Sequence, residues 1–219
     1  AGDVKYTLTF DYSVYASDAK FAGGTGISTN PYLVGTYEQF DNMLKESLNK
    51  DHMVYFKLIS DIDFSGKPIN QYANYVTYNG TGKSVGYLTA HIDGDNYKLK
   101  NIKQVVSAEE AGLTSAYAAD YLYSPKQNEI FGVVSDFTLK NIEVNFVATD
   151  DYAASGLVTC GTVGSTVKFE NVTTTGFIDP AMNGATSVAT FIMQSSRITD
   201  QDKKLGDKSV FVNCHNRTD

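Results

Sequence analysis

Leu99-Lys100-Asn101-Ile102, Leu139-Lys140-Asn141-Ile142, Phe169-Glu170-Asn171-Val172 and Phe211-Val212-Asn213-Cys214 share one pattern: apolar, any residue, asparagine, apolar. The asparagines lie 40, 30 and 42 residues apart. A self-similar period of roughly 20–50 residues is the mark of stacked repeat architectures. Each unit there buries its apolar face only against its neighbours, and extra residues bulge out as loops. The repeat predicts an all-β chain, a right-handed parallel β-helix in which each unit adds one layer of strands, with right-handed crossovers. The flanking apolar residues are expected to stack in a core. Asn101, Asn141, Asn171 and Asn213 are expected at a bend, as one structural ladder of side-chain hydrogen bonds, because asparagine tolerates left-handed backbone angles.

Working outward, two units share a second element before the asparagine: Ile130-Phe131-Gly132-Val133-Val134 and Ser155-Gly156-Leu157-Val158-Thr159. Short strands are predicted at 53–59, 61–64, 85–92, 97–102, 130–134, 137–147, 156–159, 165–173, 188–193 and 209–214. Insertions separate them at 66–84, 103–128 and 195–208. Upstream, Val4, Tyr6, Leu8, Phe10 and Tyr12 alternate with polar residues, the period of a half-buried strand. Thr36-Tyr37-Glu38-Gln39 fits a capping box, and Phe40, Met43, Leu44 and Leu48 follow at helical spacing. This reads as an amphipathic helix lying as a lid over one end of the β core. The organisation expected is a single domain over 1–219, with the N-terminal strand and capping helix in 1–52 and the strand repeats in 53–219. Ala1-Gly2-Asp3-Val4 opens directly into the alternation, as a processed or trimmed chain would.

Composition agrees with strands and turns: among 219 residues are 15 Tyr, 12 Phe and 18 Gly, with no Trp. The formal charge is −7 and the pI near 4.9, without a Lys/Arg cluster. That argues against a nucleic-acid partner. The longest apolar stretches are far shorter than the roughly 20 residues a membrane helix needs, so no membrane insertion is expected. Cys160 and Cys214 each sit in an apolar run and read as small core residues, although a single bridge between them is open.

The order of several motifs resembles a known family. Phe21-Ala22-Gly23-Gly24-Thr25-Gly26, then Asn30-Pro31-Tyr32-Leu33-Val34, is similar to the opening of bacterial surface proteins with GLUG-type repeats. So are Tyr55-Phe56-Lys57-Leu58, Asp61-Ile62-Asp63-Phe64 and His91-Ile92-Asp93-Gly94-Asp95-Asn96-Tyr97-Lys98-Leu99. The resemblance implies a right-handed parallel β-helix at the bacterial exterior, secreted or at the cell surface, within adhesin-like chains and some surface peptidases. The last unit departs from it: Ala189-Thr190-Phe191-Ile192-Met193 lacks the glycines. The end at Cys214-His215-Asn216-Arg217-Thr218-Asp219 falls just after a repeat begins. The expectation is a fragment of a longer chain, or an end capped by a partner, end-to-end self-association of the last layer included.

Chemistry-bearing motifs are sparse. Gly80-Thr81-Gly82-Lys83-Ser84 has Thr77 where a P-loop needs glycine, and Val85-Gly86-Tyr87-Leu88-Thr89 after it reads as a strand. Gly24-Thr25-Gly26 has Thr29 where a dinucleotide fingerprint needs its third glycine. Asp61/Asp63 and Asp93/Asp95 could pair for calcium or glycoside cleavage, but they sit among turn formers. His52, His91 and His215 have no second ligand at metal spacing, so no cofactor or metal is expected. Tyrosines crowd two insertions: Tyr72, Tyr75, Tyr78 and Tyr87 in and beside the first, Tyr117, Tyr121 and Tyr123 in the second. Their flat rings with a hydrogen-bonding tip suit glycans and host or matrix proteins alike. The sequence is therefore read as a noncatalytic surface module for adhesion or binding. Its rivals are a polysaccharide-cleaving enzyme, for which Arg197 and Arg217 are the only arginines, and a structural spacer.

Overall fold

The computed structural model describes residues 19–73, 75–78, 81–84, 86–103, 105–107, 129–148, 156–162, 164–178, 190–194 and 208–218. Strand β1 (Tyr32–Val34) leads into helix α1 (Tyr37–Glu46). Thr36 is the N-cap, its hydroxyl accepting from the Gln39 N–H at 3.2 Å. The Gln39 carboxamide reaches back one residue beyond the cap and accepts from the Gly35 N–H at 2.8 Å. The buried face of α1 carries Phe40, Met43 and Leu44, with Phe40 edge-on to Phe64 at 5.1 Å between ring centroids.

Strands β2 (Val54–Leu58) and β3 (Ile62–Asp63) follow, then β4 (Ile69–Gln71), β5 (Tyr75–Tyr78), β6 (Thr81–Ser84), β7 (Ala90–Asp93), β8 (Lys98–Ile102) and β9 (Val105–Ser107). The second half holds β10 (Val133–Val134), β11 (Phe137–Ala148), β12 (Val158–Gly161), β13 (Thr166–Ile178), β14 (Ile192–Gln194), β15 (Lys208–Val212) and β16 (His215–Thr218). The insertion expected at 66–84 thus contains β4 and the antiparallel hairpin β5–β6. Every other pairing between two of these strands is parallel. Among the described residues the chain is all-β apart from α1.

The largest sheet runs β1-β2-β7-β11-β13-β15. Because strand side chains alternate in direction, Val54, Phe56 and Leu58 point to the core while Tyr55 and Lys57 point out. Register carries this through the sheet. Phe56, Ile92, Leu139, Phe169 and Phe211 form one inward column. Lys57, Asp93, Lys140, Glu170 and Val212 form an outward one. The long strands β11 and β13 pair a second time beyond their bend, with β8 and β16, and Ile62, Leu99, Val144 and Thr174 line that buried leg. Two smaller parallel sheets, β10-β12-β14 and β4-β9, complete the described strands.

The bends carry the asparagines, all with positive φ: Asn101 at 59°, Asn141 at 51°, Asn171 at 52° and Asn213 at 50°. Three of them stack. The Asn213 Nδ2 donates to Asn171 Oδ1 and the Asn171 Nδ2 to Asn141 Oδ1, both at 2.8 Å. The Asn141 Nδ2 donates to Asp93 Oδ1 at 3.0 Å. Asn101 stands in another column: its Nδ2 donates to Asp63 Oδ1 at 2.9 Å, and its backbone N–H faces Asn145 Oδ1 at 3.3 Å. The reason is register. From Asp93 to Lys98 the chain takes five steps, where its partner takes three from Lys140 to Glu143. Leu99 therefore pairs with Val144, not Leu139, and the Lys100-Asn101 step carries one extra residue, a bulge before Ile102 meets Phe146.

Candidate functional site

A cleft of about 460 Å³ opens where four parallel strands begin. Its first wall is the Lys50–Met53 loop between α1 and β2. Tyr87 and Thr89 come from the approach to β7, Ser135 and Asp136 from the approach to β11. Thr138 on β11 and Thr166 and Lys168 on β13 form the far side.

Backbone hydrogen bonds hold these segments in place. Asn49, itself at φ 53°, clamps Tyr87: its N–H donates to the Tyr87 carbonyl at 2.8 Å, and its carboxamide oxygen accepts from the Tyr87 N–H at 3.1 Å. The half-buried Tyr87 ring rests on Val133 and Cys160. Thr89 donates its hydroxyl to the Lys50 carbonyl at 3.0 Å, tying the first wall to the second. Asp136 sits in the left-handed region at φ 48°, and its carboxylate accepts from the Thr166 N–H at 3.0 Å.

Two lysines and two aspartates line the cleft, Lys50 and Lys168 with Asp51 and Asp136. Lys50 pairs with Glu46 at 3.2 Å and Lys168 with Glu170. Asp51 pairs with the His52 ring at 2.8 Å. The walls also hold Tyr87 and the hydroxyl-bearing residues Ser135, Thr138 and Thr166. That combination, a flat apolar face with convergent polar groups, is how concave sites hold polar small molecules.

The tyrosines named from the sequence part company. Tyr87 lines the cleft. Tyr72 packs: its hydroxyl donates to Asp41 Oδ1 at 2.9 Å, and the Lys45 ammonium lies 5.4 Å over its ring. Burial, then the neighbouring Asp41 carboxylate, push the Tyr72 phenol up to about 12. Tyr75 and Tyr78 belong to β5, with side chains outside the described residues, as are Tyr117, Tyr121 and Tyr123 altogether.

The paired aspartates serve the scaffold. Asp61 accepts from the Lys98 N–H at 2.9 Å and pairs with Lys100 at 3.2 Å. Asp63 is held down at about 2 by the Asn101 carboxamide first, then by the Ser65 hydroxyl and N–H. Asp93 is raised by burial, but the Asn141 carboxamide, the Asp95 N–H and Lys140 outweigh this and leave it below its ordinary value. Asp95 pairs with Lys57 at 3.0 Å. His91 lies on the outer sheet face, 5.2 Å from the Tyr55 ring, and burial, then Lys140, lower its pKa. No cluster of three or more metal-ligating side chains forms among the described residues. Cys160 and Cys214 are both free thiols, Cys160 buried.

Sequence reasoning found Tyr87 alone of the cleft. The remaining lining comes from four segments with no local motif, and only strand register brings them together.

No family model and no curated protein matches the chain. Among solved structures it is similar to the crystal structure of a "putative immunoglobulin A1 protease" from Bacteroides ovatus, at 19% identity and a TM-score of 0.55. The match covers 91% of this chain and 50% of that one, so the chain spans about half that structure's length. At this identity the likeness concerns the fold.

Proposed function

We propose that this chain is a right-handed parallel β-helix of the GLUG-repeat kind, displayed outside a bacterial cell, and that it binds a glycan or a protein without catalysing a reaction. The solenoid reading rests on the two-leg parallel pairing of β11 and β13 and on the stacked asparagine bends. The binding reading rests on one observation: the charge-balanced, hydroxyl-rich cleft with Tyr87 on its wall. A neutral sugar ring stacks its apolar face on tyrosine and exchanges hydroxyl hydrogen bonds with Ser135, Thr138 and Thr166. Catalytic use of Asp61, Asp63, Asp93 and Asp95 gains no support, because each is spent on a backbone N–H, a carboxamide or a lysine.

The test is a glycan-array and matrix-protein screen on the purified chain, with polysaccharide and peptide turnover followed in the same samples. Saturable binding without turnover is expected, and Tyr87→Ala should weaken it about tenfold, near 1.4 kcal/mol. Tyr72→Phe should leave it unchanged. Turnover, or binding indifferent to Tyr87, would overturn the proposal.

A further inference from the structure

On the outer face of the main sheet, register aligns a row of side chains across four strands. Tyr55 on β2 pairs with His91 on β7, His91 with Thr138 on β11, and Thr138 with Lys168 on β13. Thr138 and Lys168 also line the cleft, so the row carries its far side out onto the open sheet. At roughly 4.8 Å per strand the row is about 14 Å long, more than a single sugar ring covers. The row beside it is tied off. Lys57 pairs with Asp95 at 3.0 Å, Lys140 with Asp93 at 3.1 Å, and Glu170 with Lys168. Tyr55, His91 and Thr138 are different. Each is partly exposed, and among the described residues their side chains make no hydrogen bond; the Tyr55 ring only leans on His91, 5.2 Å away. Burial, then the nearby Lys140, lower the His91 pKa and keep its imidazole uncharged at neutral pH.

The chemistry of the row says what fits it. A phenol, a neutral imidazole and a hydroxyl each both donate and accept, which matches the hydroxyls of a sugar and carries no net charge. An extended polypeptide would bind best by adding a strand, through main-chain hydrogen bonds. That route is closed here, because β2, β7, β11 and β13 each pair with a strand on both sides. An anionic chain finds Lys168, the one cation of the row, already answered by Glu170. We propose, resting on the cleft reading above, that this row is a second part of the same site and that its ligand is a linear, neutral oligosaccharide of several rings lying across the strands. One ring stacks on Tyr87 in the cleft. The following rings run over Thr138 and His91 to Tyr55, exchanging hydroxyl hydrogen bonds with each. A single sugar uses the cleft alone.

The probes are linear β-linked gluco-, manno- and xylo-oligosaccharides, from the single sugar to the hexamer, titrated into the full chain by calorimetry. In the series that binds, affinity should rise about tenfold or more from the single sugar to the longest chain. Added salt should leave it nearly unchanged, since no ion pair is made. Tyr55→Ser/His91→Ser, both on the open face and checked for folding by circular dichroism, should remove the gain with length. Tyr55→Phe, which keeps the ring against His91 and deletes only the hydroxyl, should remove part of it. Tyr87-dependent binding that is flat with length, or a gain that survives in the folded double variant, would overturn the extended site and leave the cleft reading standing. No saturable binding of any series, or binding indifferent to Tyr87, would overturn both. Capture of a matrix protein that depends on Tyr55 and His91, in place of an oligosaccharide, would overturn the choice of ligand.

Discussion

Replacing Asn141 by alanine and by glycine separates two jobs done by one residue. Its carboxamide donates to Asp93 and accepts from Asn171, while its backbone holds φ at 51°. The hydrogen bond to the carboxylate contributes about 1.5 kcal/mol at the lower end of the charged range, suited to a half-exposed site. The neutral one contributes about 1 kcal/mol. Alanine in the left-handed region adds roughly 1–2 kcal/mol of strain. Asn141→Ala should therefore destabilise by about 3.5–4.5 kcal/mol. Glycine forfeits the same hydrogen bonds without that strain, although its more flexible unfolded chain returns roughly 0.5–1 kcal/mol of the difference. Asn141→Gly should then be the more stable of the two by about 0.5–1 kcal/mol, the reverse of the usual ranking within strands. Urea unfolding of both variants beside the parent, fitted with a common m-value, measures this. A glycine variant no more stable than the alanine one, or losses below about 0.5 kcal/mol in both, would refute this account of the bend.

Three further outcomes are expected. Asn141→Ala and Asn171→Ala should be non-additive by at least about 0.5 kcal/mol in a double-mutant cycle, because their side chains touch, whereas Asn141→Ala and Asn101→Ala should add within that margin. Asp63 has its pKa depressed to about 2 in the folded chain, so its stabilising contribution is present above its ordinary value of 3.8 and lost as pH falls toward 2. Asp63→Asn should flatten the fall of the urea midpoint across that window, and an unchanged slope would remove Asp63 from the account. Gly132→Ala should cost roughly 2–5 kcal/mol in thermal or urea unfolding, since φ is 61° and a Cβ would lie 1.8 Å from the Ala73 carbonyl oxygen.

What the sequence determined by itself was local. The alternation of Val54, Phe56 and Leu58 sets which face of β2 is buried, because side-chain direction in a strand has a period of two. Thr36 and Gln39 start α1 because a hydroxyl cap and an amide lie three residues apart. Asparagine marks the bends because few other side chains tolerate positive φ. The tertiary structure decided everything that depends on register. Two extra residues in the Asp93–Lys98 bend move Asn101 out of the column that Asn141, Asn171 and Asn213 share, although its surrounding motif looks the same. Tyr72 and Tyr87 are alike in sequence, yet one is tied down by Asp41 and Lys45 while the other lines a cleft. The cleft gathers side chains from residue 50 to residue 168, and Phe211 falls on the same column as Phe56 only through the register of four successive strand pairs. Alignment across strands is a running sum over every intervening bend, and no local pattern carries that sum.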